Sequence, residues 1–321
     1  MSFFLSLLNA MPGAITQGML WGIMAIGVYI TYRILDVADL TVDGSLATGG
    51  AVCVMLMRAG WNPWAALLCA FLAGVLAGLC TGLLHTRCGI PAILAGILTQ
   101  LALYSVNLRI MTGKANQPIG VDKYDLLVSQ RYVRDLALNN PIPLVILFLA
   151  VLIGLLYWFF GTEYGMAIRA TGCNSNLSKA EGINTKRTTI VTLVISNGLV
   201  GLSGALLAQY QGFADVNMGR GAIVIGLASV IIGMVLGEVI LRKHFNFIAK
   251  LSFTSLGAII YFVVLRIVML IGLSTDNTKL FSAVIVAVFL AVPYLQKQSR
   301  ASFAKAGKRS EESLGAGKES V

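Results

Sequence analysis

Residues 63–84 read PWAALLCAFLAGVLAGLCTGLL, twenty-two positions without a charged side chain. About 20 mostly apolar residues carry a helix across the hydrocarbon core of a bilayer, so this stretch is read as a transmembrane helix. Inside it Gly74, Gly78 and Gly82 recur every fourth residue along one face. A second set, Gly198, Gly201 and Gly204, recurs every third residue in a later apolar run. Where lipid supplies no hydrophobic drive between helices, such small residues let two backbones approach closely. Both stripes are therefore packing surfaces.

Working outward, the same signature repeats. Apolar runs fall at 12–32, 44–58, 63–84, 90–112, 141–160, 189–210, 221–241, 246–272 and 279–296. The 321-residue chain is 57% hydrophobic and only 12% charged, against about a quarter charged for a soluble domain. The expectation is an all-α polytopic membrane protein of about nine transmembrane helices. The second run is short and rich in glycine (Gly44, Gly49, Gly50), so it is expected to be broken or re-entrant. A single transmembrane domain spans 1–298, and residues 299–321 form a basic, polar tail expected to be disordered. The N-terminus lacks a basic leader and its first run is long enough to span, so no cleavable signal is expected.

The net charge of +10 does not point to nucleic acid, because Lys and Arg are scattered through the connections and the tail instead of forming one basic face. Lipid headgroups and the positive-inside bias explain that placement. Lys297, Arg300, Lys305, Lys308, Arg309 and Lys318 put the C-terminus in the cytoplasm. Counting back through the runs puts the loop with Arg169, Lys179, Lys186 and Arg187 inside and the N-terminus outside. The long connection 113–140 then falls outside despite Lys114, Lys123, Arg131 and Arg134. The five cysteines (Cys53, Cys69, Cys80, Cys88, Cys173) show no paired spacing and are read as small buried hydrophobes. A faint echo links Gly82–Leu84 and Ala92–Gly96 to Gly204–Leu207 and Ala222–Gly226, in helix pairs that turn at opposite ends.

The loop GTEYGMAIRATGCNSNLSKAEGIN (161–184) holds the most specific signal. Its pattern predicts a short helix from about Ser175 to Glu181, with Asn174 or Ser175 capping its start and Gly182 in the left-handed position past its end. Arg169-Ala170-Thr171-Gly172 with Ala180-Glu181-Gly182-Ile183 resembles the ATPase-coupling loop of the permeases that serve branched-chain amino acid, ribose and nucleoside ABC importers. Asp39-Leu40-Thr41-Val42-Asp43-Gly44-Ser45, Gly89 to Thr99, and Gly226 to Gly233 extend the resemblance over most of the chain. It is most similar to permeases of tryptophan/tyrosine-type amino-acid transporters. The resemblance implies an importer for a small solute, an aromatic amino acid foremost, in a multi-pass subunit of the bacterial inner membrane. It also implies a second permease copy, a cytoplasmic ABC ATPase that binds ATP-Mg, and an extracytoplasmic substrate-binding protein. The coupling loop then carries Arg169, Thr171, Gly172, Asn174, Lys179, Glu181, Gly182 and Ile183, with the short helix as its cytoplasmic coupling helix.

No G-x-x-x-x-G-K-[ST] run occurs, so the chain has no phosphate-cradling loop of its own and is expected to be a transport subunit, not an enzyme. Asp36, Asp39 and Asp43 lie between the first two runs. Carboxylates near membrane depth either line a pathway or cap helix ends, and capping is the commoner use. Gln100, Asn107, Ser196 and Asn197 interrupt apolar runs; they either meet a substrate or bond across to a neighbouring helix. The candidate path therefore comprises Asp39, Thr41, Asp43, Gln100, Asn107 and Asn197. Glu238 and Arg242 stand four apart in the order that favours an ion pair. His85 and His244 are isolated, so no metal site and no catalytic set is expected. The main alternative is an ion-coupled secondary transporter; a membrane-embedded enzyme lacks a visible constellation.

Overall fold

A computed structural model describes residues 2–120, 123–133, 140–241, 245–270, 280–284, 286–289 and 291, with only the backbone described over 2–6. Several sequence readings fall outside these residues: the tail 299–321, Arg134, Arg242, His244 and much of the run at 279–296. The elements in order are α1 (Ser2–Tyr29), a π-helical turn (Ile30–Ile34), α2 (Val42–Arg58), α3 (Pro63–Thr86), α4 (Ala92–Ile110) and β1 (Asn116–Pro118). There follow α5 (Pro141–Gly161), α6 (Glu163–Cys173), α7 (Ser175–Ala180), α8 (Thr185–Gln211), β2 (Phe213–Asp215), α9 (Ala222–Leu241) and α10 (Phe247–Leu270).

Seven of these helices are long and apolar enough to cross a membrane, the first spanning Leu7–Ile34. Two starts share one local device. Asn62 and Asn140 precede Pro63 and Pro141, and each Asn side chain accepts a 2.9 Å bond from the amide two residues on. Asparagine caps the free amides, while proline presets the helical angle and has no N–H to leave unpaired.

The second apolar run differs from its expectation of an internal break. α2 is an unbroken helix of 17 residues, and the irregular chain lies in front of it. α1 ends on the π turn, Asp36 adopts φ 59°, and residues 35–41 return as non-helical backbone before α2 begins.

α8 is the axis of the bundle. Its apolar window is 78% buried, against 22% for α4 and for α5. α1 runs antiparallel to it, tied by Tyr210 Oη to the Gly13 carbonyl (3.2 Å), Ser203 Oγ to Leu20 (2.8 Å) and Ser196 Oγ to Gly27 (2.8 Å). Both glycine stripes work at this axis. A methyl at Gly74 would collide with the Asn197 carbonyl of α8, one at Gly78 with the Leu193 carbonyl, and one at Gly204 with the Leu46 carbonyl of α2. α3 thus lies antiparallel to α8, and α2 lies parallel to it.

These pairings fix which ends share a side. The start of α1, the end of α2 and the β1–β2 ladder (Asn116 opposite Asp215) lie at one end. The end of α1, the α3–α4 corner and α6–α7 lie at the other, so the α3–α4 and α8–α9 turns are at opposite ends. α9 does not begin where α8 stops. After β2, residues 216–221 run back along α2, with Met218 against Gly50 and Gly219 against the Asp43 backbone, and only then does α9 start. Asp43 is 15 residues before Arg58 on α2, about 22 Å at 1.5 Å per residue.

Candidate functional site

Two irregular segments, 35–41 from one side and 216–221 from the other, therefore reach into the bundle and bring the N-termini of α2 and α9 together. In a bilayer, non-helical backbone at depth is tolerated only where protein or a water-filled cavity surrounds it. Each segment is satisfied by a carboxylate. Asp39 Oδ1 accepts from the Thr41 amide at 2.9 Å, and its Oδ2 accepts from Asn197 Nδ2 at 2.6 Å. Asp43 Oδ2 accepts from the Gly221 amide at 2.9 Å and its Oδ1 from Ile223 at 3.0 Å. A negative group suits the positive end of a helix. The capping reading holds for Asp43, which caps a helix start 178 positions away, whereas Asp39 closes a turn onto Thr41 and no side chain caps α2. Asp36 only turns the chain.

The six candidate path residues separate into two sets. Asp39 (2% exposed), Thr41 and Asn197 are buried in a closed network. Asn197 Oδ1 accepts from Ser45 Oγ at 2.6 Å, and its amide also reaches the Leu193 carbonyl. Thr41 and Thr81 are joined at 2.7 Å, and Thr81 donates to Thr99 at 2.9 Å. The network stitches α2, α3, α4 and α8 together. Ser196 likewise bonds across to α1.

Asp43, Gln100 and Asn107 instead line one cavity of about 400 Å³ with Tyr104, Asn217 and Arg220. Asn107 is 1% exposed and, among the described residues, its side-chain oxygen has no hydrogen-bond partner. Leaving a buried acceptor unpaired costs about 1–3 kcal/mol. Sequence reading missed Tyr104, Asn217 and Arg220. Their positions look like helix face and loop, and the only available signal was a basic residue immediately before the apolar run at 221–241. A second cavity of about 460 Å³ lies between α1, α8 and α10, beside Gln17, Tyr210 and Arg266. None of the candidate path residues reaches it.

The loop 161–184 also divides. α7 spans Ser175–Ala180, Asn174 Oδ1 accepts from the Asn176 and Leu177 amides at 3.1 Å, and Gly182 has φ 86°. The short capped helix is therefore as read from sequence. Asn174, Lys179, Glu181 and Gly182 are exposed and Ile183 is half-buried. The preceding residues form a further helix, α6, that sequence reading did not resolve, and its Arg169, Thr171 and Gly172 pack against the rest of the bundle. The Arg169 guanidinium stacks 4.2 Å from the Phe247 ring and 5.7 Å from Phe160. Thr171 bonds Thr188 at 3.0 Å, and Gly172 is pressed on the Ile34 carbonyl. α6 is the anchor and α7 the projecting tip.

Other readings are corrected. Of the five cysteines only Cys53 is buried, while Cys80, Cys88 and Cys173 are exposed. Cys80 lies in an apolar run whose helix turns one face out of the bundle, and Cys88 and Cys173 lie in connections outside the runs. His85 is held by the Ile90 carbonyl at 2.8 Å. Among the described residues no three His, Cys, Asp or Glu side chains gather as metal ligands would.

Comparison with known proteins adds an independent line. The model of a family described as the permease component of the branched-chain amino acid transport system matches residues 11–293. The tyrosine transport system permease protein of Clostridioides difficile (strain R20291) is 39% identical over 93% of this chain and 96% of its own length. The fructose import permease protein FruF of Bifidobacterium longum (strain NCC 2705) is 26% identical over 78% of this chain and 68% of its own. The ribose import permease protein RbsC of Escherichia coli (strain K12) is 24% identical over 85% and 87% respectively. No solved structure matches the chain.

Proposed function

The chain belongs to the family of permease components of branched-chain amino acid transport systems, and from that premise we propose that it is the membrane-spanning subunit of an ABC importer for an amino acid, aromatic ones foremost. The family is one of multi-pass permeases, and the helices fit it. The likeness to the tyrosine transport system permease protein supports an amino acid as the substrate.

The observation that carries the reading is the cavity of Asp43, Gln100 and Asn107. It sits where two interrupted segments meet within the bundle, the arrangement by which transporters build a path at membrane depth. In this reading residues 1–298 form the permease domain with nine crossings, the ninth at 279–296, and the tail 299–321 is cytoplasmic. α7, with Asn174, Lys179 and Glu181, engages a partner ATPase that holds ATP-Mg. Residues anchored through α6 relay that motion to the end of α1, where Gly172 meets Ile34. A second permease copy covers the exposed face of α4 and closes the cavity. A substrate-binding protein in the extracytoplasmic space docks at the β1–β2 end, and the whole sits in the bacterial inner membrane.

Affinity purification of the tagged permease from native membranes tests this. Co-recovery of a P-loop ATPase, with amino-acid uptake that stops on ATP depletion, supports it. A permease recovered alone, with uptake that survives ATP depletion and collapses with the ion gradient, establishes the ion-coupled alternative.

A further inference from the structure

Among the described residues Arg220 is the one cation lining the Asp43 cavity, and its position is built rather than incidental. Its two neighbours are pinned to Asp43: Gly219 lies against the Asp43 carbonyl, and the Gly221 amide donates to its side chain at 2.9 Å. Its own amide closes a turn onto the Asn217 carbonyl at 3.0 Å. The obvious counter-ion is spoken for, because both Asp43 oxygens accept from the start of α9. Among the described residues the Arg220 guanidinium has no hydrogen-bond or ion-pair partner, and it is exposed to the cavity. Ionised side chains at such depth face an interior pathway and pair with something there.

The same cavity holds the opposite deficit, since Asn107 is buried and, among the described residues, its side-chain oxygen has no hydrogen-bond partner. One wall thus offers unpaired donors and another an unpaired acceptor. Tyr104, 42% exposed, adds an aromatic surface on the same α4 face.

We propose that this cavity binds the head of an α-amino acid zwitterion, with Arg220 taking the carboxylate and the Asn107 oxygen taking the ammonium. The guanidinium fork matches a carboxylate through two parallel hydrogen bonds. Moving a zwitterion through a low-dielectric path is costly unless both ends are met, and these two groups meet them. The side chain of the amino acid then lies toward Tyr104. The assignment rests on the path reading above and goes beyond it in naming the recognised group, which a sugar-carrying permease has no need to bind.

The test is direct binding to the full-length permease in lipid nanodiscs without its binding protein, so that selectivity belongs to this chain. L-tyrosine and L-leucine are each compared with their decarboxylated amines. The wild type is expected to prefer the amino acid by about tenfold or more, the range of a charge-assisted pair. Arg220→Gln should erase that preference by weakening the amino acid alone, and Arg220→Lys should keep part of it. Asn107→Leu should weaken amino acid and amine together. Equal binding of amino acid and amine by the wild type, no binding of either amino acid, or an unchanged ratio in Arg220→Gln overturns the assignment. A separate readout addresses the path. If Tyr104→Cys in the transporting complex is never labelled by an impermeant thiol reagent while uptake continues, the path reading fails. If it is labelled and the Arg220→Gln ratio is unchanged, only the carboxylate assignment fails.

Discussion

Two polar clusters lie side by side in the middle of this bundle and are finished differently. Around Asp39 and Asn197 the hydrogen-bonding groups close on one another: carboxylate to amide, amide to hydroxyl, hydroxyl to hydroxyl across four helices. Around Asn107 and Arg220 the groups are left open onto a cavity. A buried polar group is costly only when unpaired, so the first cluster holds the fold at no standing cost. The second holds its cost in reserve for something that arrives. Composition alone does not separate the two, since both contain Asp, Asn and Thr or Tyr among apolar neighbours.

The largest effect is expected from breaking the closed cluster. Asn197→Leu strips the Asp39 carboxylate of its side-chain partner and the Ser45 hydroxyl of its acceptor. Destabilisation of about 3 kcal/mol follows, since two buried polar groups each lose a partner at about 1–3 kcal/mol apiece, read as a lower thermal midpoint of the purified protein in detergent. A wild-type midpoint in that variant would mean that the closed cluster is not structural. Asp43→Ala comes next, because Asp43 both caps α9 and lines the cavity. Losing a helix cap costs about 1–2 kcal/mol, and uptake should fall further than the stability loss explains. A fall in stability with intact uptake would move Asp43 wholly to the structural side.

Glu181→Lys supplies the reference line outside both clusters. An exposed residue past the end of α7 should change stability by less than about 0.5 kcal/mol while abolishing uptake and substrate-stimulated ATP hydrolysis. Normal transport in that variant would remove α7 from the coupling surface. Arg169 is unsuited to the same use, since its stacking on Phe160 and Phe247 makes any substitution a packing change. The effect of opposite sign, and the one that sharpens the contrast most, is Asn107→Leu. Removing an unpaired buried oxygen should leave the thermal midpoint unchanged or slightly raised, by at most about 1 kcal/mol, while uptake declines. A clear loss of stability would show that the cavity wall has partners of its own.

Much of the local chemistry was open to sequence reading. The cap at Asn174 and the left-handed Gly182 depend on neighbours a few residues away, and so do the Asn-Pro helix starts. The glycine stripes were legible as contact surfaces because helical spacing puts them on one face. The choice of partner was not: Gly204 meets α2, whereas Gly201 meets α3. Seven of the apolar runs coincide with helices long enough to cross a membrane, but the reading overstated burial, as at Cys80, since an apolar residue is equally at ease against lipid or protein.

What the sequence by itself determined is a chain of membrane-crossing helices with a capped helical tip and a family resemblance that the comparisons bear out. Only the tertiary structure decided which polar residues are finished and which are open. That property lies in no residue type. Asp39 and Asp43 stand four apart in one short segment, and one closes onto Asn197 while the other crosses to the start of α9. Hydrogen-bond satisfaction depends on groups brought together from positions more than 150 residues apart, which only the packed helices bring within reach.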